Sequence, residues 1–170
     1  IRVLILKGRG RAFCVGGDMS GSGEDVYTKE YGPKEEMLWE RQAHLDYWMR
    51  GTFELFWELP QITIAQVQGY AIVVGLELAM LCDLVIATET AKFRLDPTFA
   101  IGGKFTNLWP LLLCIRKCKE KFLTNAWVTG TEAEELGMIN KAVPEDRLEP
   151  EVMTMAREIA RLPLDFIACN

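Results

Sequence analysis

The chain has 170 residues, of which 49% are apolar and 25% are charged. Because single domains usually contain about 100 to 200 residues, this length predicts one domain. The composition excludes disordered, collagen-like and coiled-coil classes. Acidic residues outnumber basic ones by 24 to 19, giving a net charge of -5. This balance argues against nucleic acid as a partner, because phosphate binding needs a basic surface.

The sequence also argues against a membrane-spanning protein, a disulfide-stabilised protein and a metal site. The most apolar window, residues 69–82, contains Glu77 and is too short to span a bilayer, so no membrane partner is predicted. The cysteines are odd in number and scattered, which favours free thiols in a reducing, cytoplasmic location. With His44 as the only histidine and no further ligands beside the cysteine pair at 114 and 118, no metal site is predicted. The five cysteines are Cys14, Cys82, Cys114, Cys118 and Cys169.

The first third of the chain predicts a strand, a loop and a long helix. Residues 2–6 are an apolar, β-branched run followed by a Gly-Arg-Gly sequence, which indicates a buried strand leading into a loop. Residues 19–33 are rich in Gly, Ser, Glu and Asp, which is typical of an exposed loop. From Met37 to Trp57 apolar residues recur at helical spacing, predicting an amphipathic helix that ends before Pro60.

The middle of the chain predicts two strands around a short helix. Residues 62–67 and 83–88 are apolar runs rich in β-branched residues, as strands usually are. Between them, residues 69–75 predict a turn and residues 76–81 a short buried helix.

The last third predicts helices around one more strand. We expect a helix over about residues 107–125 and another whose N-cap is Thr131, because carboxylates follow it in the first turn. Residues 139–143 predict a strand and residues 148–162 a final helix. Strands that alternate with helices predict an α/β class with mostly parallel strands.

Two glycine-bearing segments carry the candidate chemistry. Residues 13–18, Phe-Cys-Val-Gly-Gly-Asp, form a tight turn that leaves backbone N–H groups available to a ligand. Residues 69–77, Gly-Tyr-Ala-Ile-Val-Val-Gly-Leu-Glu, place a turn before a helix N-terminus. Two such donors directed at one carbonyl oxygen form an oxyanion hole, worth about 3 to 4 kcal/mol per donor in other enzymes. For either segment alone, a tight turn between core elements is the competing interpretation.

Several longer stretches form one recognisable pattern. They are residues 13–18, residues 60–87 with the run Gln-Gly-Tyr-Ala-Ile-Val-Val-Gly-Leu-Glu-Leu-Ala-Met-Leu-Cys-Asp at 68–83, Ala-Lys-Phe at 91–93, and Ala-Glu-Glu-Leu-Gly-Met-Ile-Asn at 133–140. In their order and separations these stretches resemble the enoyl-CoA hydratase/isomerase (crotonase) superfamily. The resemblance implies an α/β fold of the ClpP/crotonase type, built from repeated β-β-α units. It further implies that residues 1–170 are a single crotonase-like domain truncated at both ends, without N-terminal strands and C-terminal trimerisation helices.

The resemblance also implies which residues form the site. It places the two oxyanion N–H donors at Val15 and Val74. Members of this superfamily usually have small residues at both donor positions, with glycines where this chain has Val73 and Val74. A β-branched side chain still leaves the N–H in place, but it restricts the backbone and narrows the space for a thioester. Contacts with the acyl-CoA are implied for Phe13, Val15, Gly16, Gly17, Asp18 and Val74.

Two carboxylates are the catalytic candidates. Glu77 matches the first glutamate with which hydratases of the superfamily handle water. The second glutamate is missing, because Pro97 stands at its position and Asp96 precedes it. We expect Asp96 to act in its place if the loop turns its carboxylate toward the pocket. The competing interpretations are a buried structural carboxylate for Glu77 and an Asp-Pro turn for Asp96.

The resemblance implies an enzyme of the lyase and isomerase type that hydrates or isomerises an enoyl-CoA through an enolate, as in fatty acid metabolism. Coenzyme A arrives with the substrate, so no separate cofactor is expected, and the implied assembly is a homotrimer or hexamer. Two alternatives remain at this stage: a C–C bond hydrolase or lyase on the same fold, and a non-catalytic CoA-binding or scaffold subunit. His44 is the one imidazole available as a base in a variant site.

Overall fold

A computed structural model describes residues 1–16, 51, 54–94 and 109–167. In chain order its elements are β1 (Val3–Lys7), β2 (Ile62–Val67), β3 (Tyr70–Ile72), α1 (Val74–Leu81), β4 (Leu84–Thr88), β5 (Lys92–Arg94), α2 (Trp109–Leu113), α3 (Ile115–Leu123), β6 (Val128–Thr129), α4 (Gly130–Glu135), β7 (Lys141–Val143), a 3-10 turn (Glu145–Arg147), α5 (Leu148–Ile159) and α6 (Leu164–Ile167). Residues 54–57 are helical, and they are the described end of the helix predicted for residues 37–57.

The described strands form two sheets. The larger sheet has the order β1-β2-β4-β7, and all its neighbouring strands are parallel. The smaller sheet has the order β3-β5-β6, with β3 parallel to β5 and β6 antiparallel to β5. Successive strands alternate between the sheets, since β2 and β4 lie in the larger one and β3 and β5, which follow them, lie in the smaller. Because α1 follows β3 and α2 is the first described helix after β5, the prediction of repeated β-β-α units is confirmed.

The larger sheet has an apolar cluster on each face, which explains why four of the six residues of β2 are apolar. On one face, Ala65 and Val67 pack in a cluster that includes Leu76 of α1 and Phe93 of the smaller sheet. On the other face, Ile64 packs in a second cluster that includes Val152 of α5.

A polar connection fixes the end of α1 to the start of β2. The backbone N–H and the hydroxyl of Thr63 both donate to Asp83 Oδ2, at 2.6 and 2.7 Å. Asp83 N–H donates back to Thr63 Oγ1 at 2.9 Å. Because Asp83 lies just beyond α1, this reciprocal set anchors the helix that carries Glu77.

Tertiary pairing accounts for two differences from the sequence-based expectations. Residues 69–75 were expected to form a turn, but β3 forms within them because it pairs in parallel with β5. The N-cap of α4 is Thr129 rather than Thr131, and Thr129 Oγ1 accepts a hydrogen bond from Glu132 N–H at 3.2 Å. The helix begins there because β6, which pairs with β5, ends at Thr129.

The helix expected over residues 107–125 is two helices, α2 and α3. Cys114 separates them with a positive φ of 58°, which does not continue an α-helix. The four cysteines in the described segments, Cys14, Cys82, Cys114 and Cys118, carry free thiols. In the described part of the chain, each helix is too short or too polar to cross a lipid bilayer.

Candidate active site

The turn after β1 is held against the start of the smaller sheet. Phe13 N–H donates to the Gln68 carbonyl at 2.9 Å, and Cys14 N–H donates to the Tyr70 carbonyl at 3.1 Å. The Cys14 carbonyl accepts from Ile72 N–H at 3.0 Å, so Cys14 forms a parallel bridge beside β3. This pairing places Val15 next to the end of β3.

The Gln68 side chain holds the preceding loop in position. Its Nε2 donates to the Gly8 carbonyl at 2.8 Å and to the Gly10 carbonyl at 3.2 Å. Gly69 has a φ of 63°, and a Cβ there would overlap the carbonyl oxygen of Arg11. The loop that leads to Phe13 is therefore fixed to the end of β2.

Direct contact joins this first turn to the turn before α1. A Cβ added to Gly75 would overlap the Cys14 carbonyl oxygen and lie 2.8 Å from the Cys14 Cβ, so only glycine fits there. A Cβ added to Gly16 would lie 3.6 Å from the Val73 Cβ, which is ordinary van der Waals contact. The residues on either side of Val15 thus lie close to the residues on either side of Val74.

Val73 has an unusual backbone conformation. Its φ of 52° and ψ of -113° lie in a region that glycine adopts readily and a β-branched residue rarely does. Three hydrogen bonds hold it there. Val73 N–H donates to the Arg94 carbonyl at 3.0 Å, and the Val73 carbonyl accepts from the N–H groups of Leu76 and Glu77, both at 3.1 Å.

Two backbone donors are available at the junction of the turns. Within the described part of the chain, neither Val15 N–H nor Val74 N–H donates a hydrogen bond to another residue. Val74 is the first residue of α1, where helical N–H groups lack intrahelical acceptors and the helix dipole is positive. Val15 is 59% exposed, so this side of the junction is open to a ligand.

A fully buried carboxylate lies in the first turn of the same helix. Glu77 has no solvent exposure, and its N–H donates to the Val73 carbonyl. The pKa of the partly buried Cys118 thiol on α3 is raised, first by burial and then by the nearby charge of Glu77. Glu77 therefore lies near Cys118 of α3 as well as near the turn that presents Val74.

The end of β5 supports this arrangement from outside the core. Arg94 Nε donates to Asn125 Oδ1 at 2.7 Å, and the guanidinium lies 4.7 Å from the centre of the Trp127 ring. Tyr70 packs edge-on against Trp127, with the ring centres 6.0 Å apart. These contacts fix the side chain of the residue whose carbonyl binds Val73 N–H.

The structure brings together five of the predicted site residues and leaves the others outside its described ranges. Those brought together are Phe13, Val15, Gly16, Val74 and Glu77. Gly17, Asp18, His44 and Asp96 lie outside the described residues. Within the described ranges, no three His, Cys, Asp or Glu residues are grouped as a metal site would require.

Sequence reasoning missed the parts that Val73 and Arg94 play. The signal for Val73 was present, because a valine stands where the resembled superfamily has glycine. For Arg94 no signal was available, since its backbone carbonyl is the acceptor and any residue type supplies one.

Comparison with known proteins identifies relatives along nearly the whole chain. A family model described as enoyl-CoA hydratase/isomerase matches residues 1–169. The chain is 32% identical to a putative enoyl-CoA hydratase of Mycobacterium tuberculosis, over 96% of this chain and 55% of that protein. It is 37% identical to a putative enoyl-CoA hydratase/isomerase of Bacillus subtilis, over 94% of this chain and 58% of that protein.

Solved structures agree with the fold. The crystal structure of an enoyl-CoA hydratase from Bacillus anthracis matches with a TM-score of 0.79 and 32% identity, over 98% of this chain and 62% of that one. The expected α/β fold of the crotonase type is therefore confirmed. The chain spans less than two thirds of the length of these three relatives.

Proposed function

The chain belongs to the enoyl-CoA hydratase/isomerase family, and on that basis we propose that it binds an acyl-CoA thioester and stabilises an enolate-like oxyanion with the N–H groups of Val15 and Val74. One observation carries the proposal. Two backbone N–H groups without an acceptor in the described part of the chain lie on turns in direct contact, beside the buried Glu77.

The thioester carbonyl oxygen is the group that two N–H donors suit. When a proton is removed from the acyl group, or water adds to an enoyl group, negative charge develops on that oxygen. Fixed donors stabilise the charged oxygen of the transition state more than they stabilise the neutral carbonyl of the substrate, and so they lower the barrier. Because the donors are backbone groups, valine at either position can supply them.

Glu77 is the proposed proton carrier. In hydration, its carboxylate takes a proton from water as the water oxygen bonds to the β-carbon, and the double-bond electrons move to the thioester oxygen. Protonation of the α-carbon then completes the addition. In isomerisation, the same carboxylate moves one proton between the α- and γ-carbons, which needs no second acid. Asp96 is the proposed second acid for hydration.

The wider proposal concerns binding and assembly. Phe13, Val15 and Gly16, with the following Gly17 and Asp18, contact the acyl-CoA, and coenzyme A enters only as part of the substrate. We place the active form in a homotrimer or hexamer in the cytoplasm, acting in fatty acid metabolism as a lyase or isomerase. These statements rest on membership of the family and on the sequence.

Incubation with crotonyl-CoA in heavy water tests the proposal. The positions of deuterium are read by mass spectrometry, alongside the binding of the thioester. Deuterium at the α-carbon together with added water supports hydration, and deuterium at the α- or γ-carbon without added water supports isomerisation. Binding without deuterium uptake contradicts the catalytic proposal and favours a scaffold subunit. Glu77→Gln is the matched variant, with the exposed Glu89→Gln as its control.

A further inference from the structure

Val73 borders both halves of the proposed oxyanion site. It directly precedes Val74, and its Cβ lies within van der Waals range of the position that a Cβ on Gly16 would occupy. Gly16 in turn follows Val15. The isopropyl group of Val73 therefore occupies space beside the junction of the two donor-bearing turns. The superfamily has glycine, and so no side chain, at this position.

This side chain is fixed in place. Its backbone is held in a glycine-like conformation by the three hydrogen bonds to Arg94, Leu76 and Glu77. A β-branched side chain also has few χ1 rotamers available. Any movement of the isopropyl group away from the junction would thus have to break hydrogen bonds that also begin α1.

The acceptor of one of these bonds is itself anchored. The Arg94 carbonyl receives Val73 N–H, while the Arg94 side chain bonds Asn125 and stacks on Trp127. Backbone strain persists only where the surroundings over-determine it, and it is often found at functional sites. The position of Val73 is fixed by the Arg94 carbonyl on its N–H side and by the N–H groups of α1 on its carbonyl side.

We infer that Val73 selects the acyl group, favouring thioesters that are unbranched at the carbon next to the carbonyl over those that carry a branch there. The inference rests on the proposed thioester site. A branch at the α-carbon lies closer to the carbonyl oxygen than any other added bulk on the acyl chain. It is therefore the first substituent to meet the Val73 methyl groups, whereas lengthening an unbranched chain adds atoms further away.

Binding of two unreactive thioesters tests this selection without depending on turnover. Calorimetry compares the affinities of butyryl-CoA and its branched isomer 2-methylpropanoyl-CoA. We expect the parent protein to favour butyryl-CoA by about tenfold or more, as is usual for one poorly fitting carbon group. Val73→Ala removes two methyl groups and should reduce the preference to about threefold or less. Val3→Ala, which removes the same atoms from β1, should keep the parent preference.

A ligand-free measurement tests the geometry on which the inference depends. Val73→Gly should be more stable to unfolding than Val73→Ala, because only glycine relieves a positive φ. At the first position of α1 the order should be the reverse, with Val74→Ala more stable than Val74→Gly. Thermal unfolding of the four variants measures both orders, and the two orders should be opposite.

Each failure has its own signature. If the thioesters bind but the preference of Val73→Ala equals that of the parent, the selection by Val73 is overturned while the thioester site stands. If Val73→Ala is as stable to unfolding as Val73→Gly, the Val73 side chain is not fixed as described and the inference also fails. If neither thioester binds to the parent or to any variant, the proposed function fails and the inference fails with it.

Discussion

The two turns that meet at the candidate site reach a positive φ by different means. The first uses Gly16, whose φ is 99°, and the second uses Val73, whose φ is 52°. Glycine adopts such a conformation without steric cost, whereas other residues in sparsely populated regions cost about 1 to 3 kcal/mol. The first turn thus reaches its positive φ without backbone strain, while in the second the strained Val73 is held by three hydrogen bonds.

The difference extends to what each turn carries. The first turn presents the Val15 N–H from an exposed segment. The second presents the Val74 N–H, and its carbonyl at residue 73 also binds the N–H of Glu77. The Val74 N–H and the buried Glu77 are therefore both positioned by the strained turn at Val73. Any change that relaxes the second turn should affect proton transfer and oxyanion binding together, while changes in the first turn should affect only the latter.

Separating the two turns should have the largest effect on stability. Gly75→Ala places a Cβ where the Cys14 carbonyl oxygen lies, so the turns must move apart. We expect the free energy of unfolding, measured by urea denaturation, to fall by about 4 kcal/mol. Gly51→Ala is the control, since no atom of the described residues lies within 4 Å of a Cβ there, and it should change the value by less than about 1 kcal/mol. Similar values for both variants would mean that the turns are not in contact.

Glu77→Gln tests whether the second turn carries the acid and base chemistry. The amide keeps the shape of the side chain but cannot accept a proton, so kcat should fall by about 100-fold or more while thioester binding stays largely intact. Glu89→Gln, on the surface after β4, should leave kcat unchanged. Equal turnover in the parent and in Glu77→Gln would remove this carboxylate from the mechanism.

Gly16→Ala introduces into the first turn the strain that the second already has. The nearest atoms would lie at 3.5 and 3.6 Å from the new Cβ, so the cost comes from the backbone conformation and not from overlap. We expect a loss of about 2 kcal/mol of unfolding free energy. Gly10→Ala, at a φ of 85° and with no atom of the described residues within 4 Å of the new Cβ, should cost a similar amount without affecting thioester binding. No loss in either variant would contradict the comparison of the two turns.

Asp96→Asn should have the smallest effect. If Asp96 supplies the second acid, kcat for hydration should fall about tenfold, which corresponds to about 1.4 kcal/mol. Asp146→Asn in the exposed 3-10 turn is the control. An unchanged rate would leave Asp96 as part of an Asp-Pro turn and Glu77 as the sole proposed proton carrier.

The sequence predicts the larger sheet well because its strands are continuous apolar runs. β2 has the predicted bounds, and β4 begins one residue later than expected. The smaller sheet is harder to predict, because β3 has only three residues and becomes a strand only by pairing with β5. In the same way, the start of α4 is set by the pairing of β6, which no local pattern reveals.

Site residues were predicted by resemblance more than by local pattern. Spacing alone indicated two glycine turns, and the resemblance named Val15, Val74 and Glu77 within them. Spacing did not indicate the conformation of Val73, because a β-branched residue is typical of a strand and not of a positive φ. The resemblance carried a signal for it, since the superfamily has glycine at this position. The conformation arises from hydrogen bonds to β5 and α1, which are tertiary contacts.

The stretching frequency of a bound thioester carbonyl tests most directly whether the two turns act on one oxygen. Infrared difference spectra of butyryl-CoA, labelled with ¹³C at the carbonyl, compare the bound thioester with the free one. Two N–H donors on the carbonyl oxygen polarise the bond, so we predict a clear shift of the bound band to lower frequency. A bound band at the frequency of the free thioester in water would show that the Val15 and Val74 N–H groups do not bind this oxygen, and would contradict the account.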